Sequence, residues 1–395
     1  MRPLFVTGLS IASALGAGLE RTFSALREGR SGLRRNDFEP FPHPTWIGRV
    51  EGLESAPLSG EFARFDCRNN RLAQLALAED GFEQAVARAR ERHGAARIAV
   101  LLGTTTSGIL ETELAYRRGA EVESLLAARD YAATHGMFSL TEFVRRRLAL
   151  EGPAATVSNA CASSAKVFAQ AQRLIEAGIC DAAVVGGVDS LCLTTLYGFR
   201  SLELLSESPC RPCDERRDGI SIGEAGGFAL LEKAPRAERA AVALLGYGES
   251  SDGYHMSSPH PEGAGALLAM SDALARAGAE PQEVDYVNLH GTGTPANDRA
   301  EDAALHALFA DSTPASSTKG WTGHTLGAAG IVEAAVSVLC LERGFRPGSL
   351  NTERVDPALR ARVALESEQR PLERVLSNSF GFGGNNCSLL FGRAA

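Results

Sequence analysis

No run of apolar residues in this chain approaches the roughly 18 needed to cross a bilayer, which excludes a helical membrane span. There is no long basic block, and 48 acidic against 40 basic residues leave a net charge of −8, so nucleic-acid binding is not indicated. No Pro/Ser-rich linker or low-complexity tract divides the 395 residues. The phosphate-loop pattern Gly-x-x-x-x-Gly-Lys-Ser/Thr is missing. The eight cysteines are scattered, with Cys180, Cys192 and Cys340 among apolar neighbours, unlike a secreted disulfide framework. Cys210-Arg-Pro-Cys213 has metal-knuckle spacing, but no second cysteine or histidine pair follows, so no metal ligand set is assigned. The start, Met1-Arg-Pro-Leu-Phe-Val-Thr-Gly, enters a strand pattern without the layout of a secretory signal, and a cytoplasmic location is expected.

What is present is an alternation of apolar strand-like runs and helical patterns. Strands are expected at Leu4–Thr7, Ile98–Leu102, Ala182–Gly187, Gly227–Leu231, Val284–Leu289 and Val375–Asn378. Helical patterns cover Gly18–Glu28, Leu72–His93, Gly265–Ala277 and Ala329–Glu342. Such mixing predicts an α/β architecture with buried sheets. A long-period echo adds detail. A strand leads into Ser158–Ser164 and a small-residue helix; later, Ala315–Lys319 leads into Gly323–Gly330 and the helical pattern Ile331–Leu341. Two similar halves are expected, residues 1–238 and 239–395, divided in the charged stretch Lys233–Arg239.

Four segments carry candidate chemistry. In Val157-Ser-Asn159-Ala160-Cys161-Ala-Ser-Ser164 the cysteine sits at a strand-to-helix junction. Unpaired backbone N–H groups and the helix dipole there favour thiolate over thiol. A buried structural cysteine is the competing reading. In Asn288-Leu-His290-Gly-Thr292-Gly-Thr294 the histidine leaves a strand end, and the glycines allow close backbone approach to a ligand; a plain turn would read the same way. Lys319-Gly-Trp321-Thr-Gly-His324 offers a cation and an imidazole facing a helix start, or a surface charge and a helix cap. Asn378-Ser-Phe380-Gly-Phe382-Gly-Gly-Asn385-Asn386 suits an apolar gate or an oxyanion-donating turn.

In joint order and spacing these segments resemble the β-ketoacyl-acyl carrier protein synthases, the Cys-His-His condensing enzymes of thiolase fold. The resemblance also takes in Val6-Thr7-Gly8, Arg217-Asp218-Gly219, Gly223-Glu224-Ala225-Gly226 and Ser251-Asp252-Gly253-Tyr254-His255-Met256, and so runs from end to end. It implies a thiolase-like fold of two pseudo-duplicated halves in five layers, αβαβα. It implies that Cys161 accepts an acyl chain from acyl carrier protein, whose phosphopantetheine arm delivers the substrates, with no bound cofactor. His290 and His324 would stabilise the enolate formed when a malonyl extender loses CO2, and Lys319 would orient a neighbouring histidine. Backbone N–H groups of Cys161 and Phe382 would form the oxyanion hole, with Phe382 also the gate. Thr292 and Thr294 match positions that bind the phosphopantetheine arm, and Phe199 and Ile109 match the acyl pocket. Asp298, Glu301 and Glu333 match supporting acids, whose simpler reading is salt bridges without direct chemistry.

The chain departs from the housekeeping pattern at Asn159, at Trp321 and in the turn Gly103-Thr-Thr-Thr-Ser-Gly-Ile109-Leu110. Ile109, Leu110 and Trp321 would adapt the pocket to an unusual acyl group, or Ile109 and Leu110 merely fill core space. The resemblance implies a homodimer, or a heterodimer with a paralogous chain-length-factor subunit. Arg68, Arg71 and Arg145–Arg147 are candidate docking cations for acidic carrier protein, solvated charge being the alternative. A non-elongating chain-length-factor subunit is the competing function, but such subunits usually lack the cysteine. Fatty-acid and polyketide or aryl-polyene pathways both remain open.

Overall fold

Runs of Val, Ile, Leu and Ala without polar alternation suit strands covered on both faces. They form β2 (Ile98–Gly103) and β4 (Ala182–Asp189), buried at every residue. The computed structural model describes residues 1–119, 131–234 and 242–393. The other long-path strands are β1 (Leu4–Ser13), β3 (Ala154–Val157), β5 (Ala225–Glu232), β6 (Val242–Ser251), β7 (Tyr286–Asn288), β8 (Ala315–Ser316), β9 (Arg374–Gly381) and β10 (Asn385–Arg393).

Their order is β8-β7-β9-β10-β6-β1-β5-β4-β2-β3. In the first half β1 runs antiparallel to β5, β5 antiparallel to β4, and β4, β2 and β3 are mutually parallel neighbours. In the second half β6, β10, β9, β7 and β8 repeat that pattern in the same sense. One short antiparallel contact, Leu4↔Leu244 and Phe5↔Ala243, joins the two five-stranded units. Pseudo-duplication is therefore visible in the topology. Residues 235–239 of the expected boundary lie outside the described residues.

Between the units lie two helices, α3 (Ser163–Glu176) and α7 (Ala329–Arg343), which pack on each other and on strands of both halves. Helix α7 is buried from Ala329 to Leu341, as expected for a helix apolar on all sides. Helices α1 (Arg68–Ala78) and α2 (Phe82–His93) cover the outer face of the first unit, and α5 (Ala264–Ala277), backed by α6 (Pro295–Phe309), covers the second. The layers are thus helix, sheet, helix, sheet, helix. The single pattern expected over Leu72–His93 is two helices, because Asp80 and Gly81 take left-handed backbone at φ 56° and 68°. A further helix, α4 (Leu193–Ser201), follows β4. Among the described residues no helix is long and apolar enough to cross a membrane.

The duplication positions the site. β3 leads into α3 and β8 leads into α7, so both central helices begin at matching strand ends. Cys161 precedes one helix start and His324 precedes the other.

Candidate active site

Cys161 lies on a tight elbow between β3 and α3. Ala160 holds φ at +48°, an uncommon conformation for a residue with a side chain. The Ser163 hydroxyl closes the elbow, accepting from the Asn159 N–H at 2.8 Å and donating to the Ala160 carbonyl at 2.6 Å. The end of β9 presses against this elbow. A Cβ on Gly381 would lie 3.0 Å from the Cys161 nitrogen and 3.2 Å from the Ala160 Cβ. Only glycine lets the backbone come so near, and that approach aims the Phe382 N–H at the Cys161 sulfur. The Asn159 amide donates to Asn385 Oδ1 at 3.2 Å, and Asn385 donates to the Phe382 carbonyl, also at 3.2 Å. Asn159 thus ties the elbow to the Phe382 loop.

Burial corrects the expected thiolate. It pushes the Cys161 thiol up to about 12, although the Lys319 charge and the Phe382 N–H pull the other way. Removing a thiolate from water outweighs the favourable charge and hydrogen bond here. Burial therefore favours the thiol over the thiolate in this site.

The histidines come from the other half. Glu301 on α6 accepts the His290 N–H at 2.9 Å and the Gly291 N–H at 2.8 Å, which pins the turn after β7. Lys319 is fully buried; its ammonium donates to the Glu333 carboxylate and lies 3.4 Å from His290 Nδ1. A lysine ammonium only donates, so Nδ1 is the acceptor and the proton of the neutral ring sits on Nε2. Burial and the Lys319 charge hold both histidines well below the ordinary range, so both rings are neutral. The His324 backbone is held between Ser221 and Gly223, by bonds of 2.7 and 2.9 Å. Its Nε2 lies 3.0 Å from Cys161 Sγ. The sulfur and one ring nitrogen from each histidine all lie within 4.8 Å of one another. That donor set could hold a soft cation, but the Lys319 ammonium beside His290 opposes a second positive charge.

The three acids have distinct places. Glu333 pairs with Lys319, and burial raises its carboxyl to about 7 against the pull of that lysine. Glu301, also raised to about 7 by burial, holds backbone N–H groups rather than a cation. Asp298 accepts from the Cys213 and Gly293 N–H groups and lies 3.5 Å from Arg217.

A cavity of about 200 Å³ opens above Cys161, lined among others by His290, His324, Thr292, Thr294, Phe199 and Phe382. The Thr292 and Thr294 hydroxyls are 2.9 Å apart, and the Phe199 and Phe382 rings meet at 5.6 Å. Ile109 is not in this lining; with Phe199 and Leu110 it packs against the cluster around Leu191, Leu196 and Ile220. Trp321 is likewise outside the cavity, fully buried in the central core. Arg68 does not fit a docking role: it is buried and makes a two-pronged ion pair with Glu224 as well as contacting Glu54. Arg71 is engaged by Asp66 at 2.6 Å, and Arg145–Arg147 are paired with Glu142 and Glu83. The fully buried Asp189 escaped sequence reasoning, whereas Gly381 was included in the glycine-rich candidate loop. For Asp189 the available signal was a lone acid closing an apolar strand.

A five-layered duplicated fold in which a cysteine and a neutral histidine precede the two central helices, with a second neutral histidine from a strand end beside them, defines a condensing enzyme of thiolase-like class. The description "Beta-ketoacyl synthase, N-terminal domain" matches residues 1–237, and "Beta-ketoacyl synthase, C-terminal domain" matches residues 241–353. The chain belongs to the beta-ketoacyl synthase family. It is 32% identical over 428 residues to the mitochondrial 3-oxoacyl-[acyl-carrier-protein] synthase of Arabidopsis thaliana, covering 99% of this chain and 93% of that one. It is 33% identical over 412 residues to 3-oxoacyl-[acyl-carrier-protein] synthase 1 of Escherichia coli K12, covering 99% and 98%. Among solved structures it is similar to a chain of the ketosynthase ApeO in complex with its chain length factor ApeC from Xenorhabdus doucetiae. There the identity is 40%, the TM-score 0.90, and coverage 100% of this chain and 98% of that one.

Proposed function

We propose that this chain condenses an acyl group, held as a thioester on Cys161, with malonyl-acyl carrier protein to give 3-oxoacyl-acyl carrier protein. The observation that carries the reading is the 3.0 Å approach of His324 Nε2 to Cys161 Sγ, with His290 beside it in the Nε2–H tautomer. In acylation, Cys161 Sγ attacks the carrier-bound thioester, and the Cys161 and Phe382 N–H groups hold the oxyanion. The thiol proton passes to the departing pantetheine sulfur. Malonyl-carrier protein then loses CO2, and histidine Nε2–H groups stabilise the enolate. Its carbon attacks the Cys161 thioester, the C–S bond breaks, and the released thiolate takes up a proton from solvent. Thr292 and Thr294 hydrogen-bond the phosphopantetheine arm, and Phe382 with Phe199 gates the acyl side. In this reading residues 1–238 supply the nucleophile and residues 239–395 supply both histidines, Lys319 and the gate.

The 40% identity to a chain of a ketosynthase–chain length factor complex supports a polyketide- or polyene-type pathway with a paralogous partner subunit. Cys161 and both histidines favour the condensing subunit over the chain-length factor. Intact-mass analysis after incubation with acyl-carrier protein tests the reading. The wild type is expected to gain the acyl mass and, with malonyl-carrier protein, to yield extended product, whereas Cys161→Ala does neither. Folded wild type that stays unacylated, or an equally active Cys161→Ala, overturns it.

A further inference from the structure

Asp189 ends β4, is fully buried, and touches none of the reacting groups. Its Oδ1 accepts the N–H groups of Thr105 and Thr106, at 2.7 and 3.0 Å, and the Thr104 and Thr106 hydroxyls, at 2.7 and 3.1 Å. Its Oδ2 accepts the Gly327 N–H at 2.6 Å and the Thr105 hydroxyl. The carboxylate therefore grips both halves of the molecule: Oδ1 holds the turn after β2, and Oδ2 joins that turn, through Thr105, to the turn after His324.

Both turns are strained. Ser107 and Leu326 hold φ at +44° and +53°, which costs free energy unless the surroundings fix it. Ser107 N–H donates to the Thr104 hydroxyl that Asp189 already holds, at 3.1 Å. Leu326 immediately precedes the gripped Gly327. The fit around Gly327 is close, since a Cβ there would lie 2.8 Å from Asp189 Oδ2 and 3.0 Å from the Thr105 methyl. His324 thus has an anchor on each side, Ser221 and Gly223 at its own backbone and Asp189 three residues on.

We propose that Asp189 is a positioning residue, clasping the strained Leu326 turn onto Thr104–Thr106 and so fixing the His324 ring against Cys161 Sγ. The inference rests on Cys161 and His324 being the reacting pair.

Asp189→Asn tests it with little change of volume. Backbone N–H groups face both oxygens and cannot become acceptors, so the amide must set an N–H against Gly327 or against Thr105 and Thr106. The readouts are the pH–rate profile for iodoacetamide alkylation of Cys161, with Cys161→Ala as blank, and kcat and KM for carrier-bound acyl substrate. The Asp189 charge raises the Cys161 thiol, so losing the charge alone speeds alkylation, whereas releasing His324 slows it. The expected result is alkylation slowed about tenfold and kcat reduced about 100-fold at near-constant KM, the scale of a misplaced reacting group. Alkylation that is unchanged or faster, with kcat unchanged, overturns the clasp. If Asp189→Asn does not fold, Thr105→Val removes one hydroxyl donor to Oδ2 and should give a smaller loss in the same direction; unchanged rates overturn the proposal. His324→Ala separates the two levels. If it alkylates at the wild-type rate, the reacting pair itself is refuted; if it is slow while Asp189→Asn is not, only the clasp is refuted.

Discussion

Replacing Lys319 with methionine should separate the two chemical stages of the reaction. The ammonium has three buried partners: the Glu333 carboxylate, the His290 carbonyl and His290 Nδ1. Breaking a buried ion pair commonly costs about 3–5 kcal/mol because the remaining charge is stranded. Glu333 softens that cost. Its carboxyl is already raised to about 7 while Lys319 pulls it down, so without the lysine it takes up a proton and is left neutral at pH 7. A loss nearer 1–3 kcal/mol, that of an unmet buried hydrogen bond, is expected, and the variant should fold. The chemical effect is larger. With no donor on Nδ1, the His290 proton is free to leave Nε2, and the enolate loses one fixed donor. Removing one such donor costs about 10²–10³ in rate. Acylation relies on the Cys161 and Phe382 N–H groups and suffers less, slowing only because the Lys319 charge no longer eases thiol ionisation. Single-turnover mass spectrometry reads both stages, as acyl mass on Cys161 and as CO2 loss from malonyl-carrier protein. The reasoning is refuted if decarboxylation stays within threefold of wild type, or if both stages fall by the same factor.

Other perturbations follow from the same geometry. Gly381→Ala should lower the acylation rate about 10²–10³-fold by forcing the Phe382 N–H off the oxyanion position, since the new Cβ meets the strained Cys161 elbow at 3.0–3.2 Å; acyl-mass kinetics measure it. Arg68→Met should lower stability by about 3–5 kcal/mol through the stranded Glu224, with little change in KM for carrier protein in the folded fraction; urea unfolding and steady-state kinetics distinguish this from a docking role. Thr292→Val should raise KM for carrier-bound substrate about five- to tenfold, one hydrogen bond's worth, and leave iodoacetamide labelling of Cys161 unchanged. Glu301 and Glu333 are raised from 4.5 to about 7. Their contribution is present below pH 4.5 and is lost as pH climbs through about 7, at most about 3 kcal/mol each. Urea unfolding between pH 5 and 8 should therefore show a smaller loss in Lys319→Met/Glu333→Gln than in wild type.

The proposed reacting groups were legible because each lies in a short local pattern. Cys161 and His324 mark strand-to-helix junctions, His290 marks a strand end, and Phe382 sits between glycines. Contacts set by distant chain were not legible. Arg68 looked like a surface cation, yet its partner Glu224 is 156 residues away. Asp189 meets Gly327 across 138 residues, and nothing beside it in sequence announces six donors. Ile109 was left between restricting the acyl pocket and filling core space, and Trp321 was offered as adapting the pocket; bulk alone could not say that both pack outside the cavity above Cys161. The strands β6 and β10 escaped notice for a local reason. Gly246, Gly248, Glu249 and Ser250 interrupt the apolar run of β6, and Asn385, Asn386 and Ser388 that of β10, although pairing with each other fixes both.

The protonation of Cys161 shows where local reasoning misjudged a balance. A helix start contributes about 0.3–1 kcal/mol to a nearby anion at an exposed site, whereas stripping water from a buried anion costs several. The sulfur is buried, so desolvation wins and the resting site holds a neutral thiol between two neutral imidazoles. Lys319 and Glu333 form an ion pair beside them. Negative charge then appears only as reaction proceeds, first on the thioester oxygen and later on the enolate. The donors aimed at those places, two backbone N–H groups and the histidine Nε2–H groups, have no standing anion to stabilise. Their interaction is strongest in the transition state, which is where binding accelerates a reaction. A permanent thiolate would compete for the same donors before substrate arrived. Burial of Cys161 thus raises the cost of ionising the nucleophile but keeps the donor set free for charge that develops on substrate.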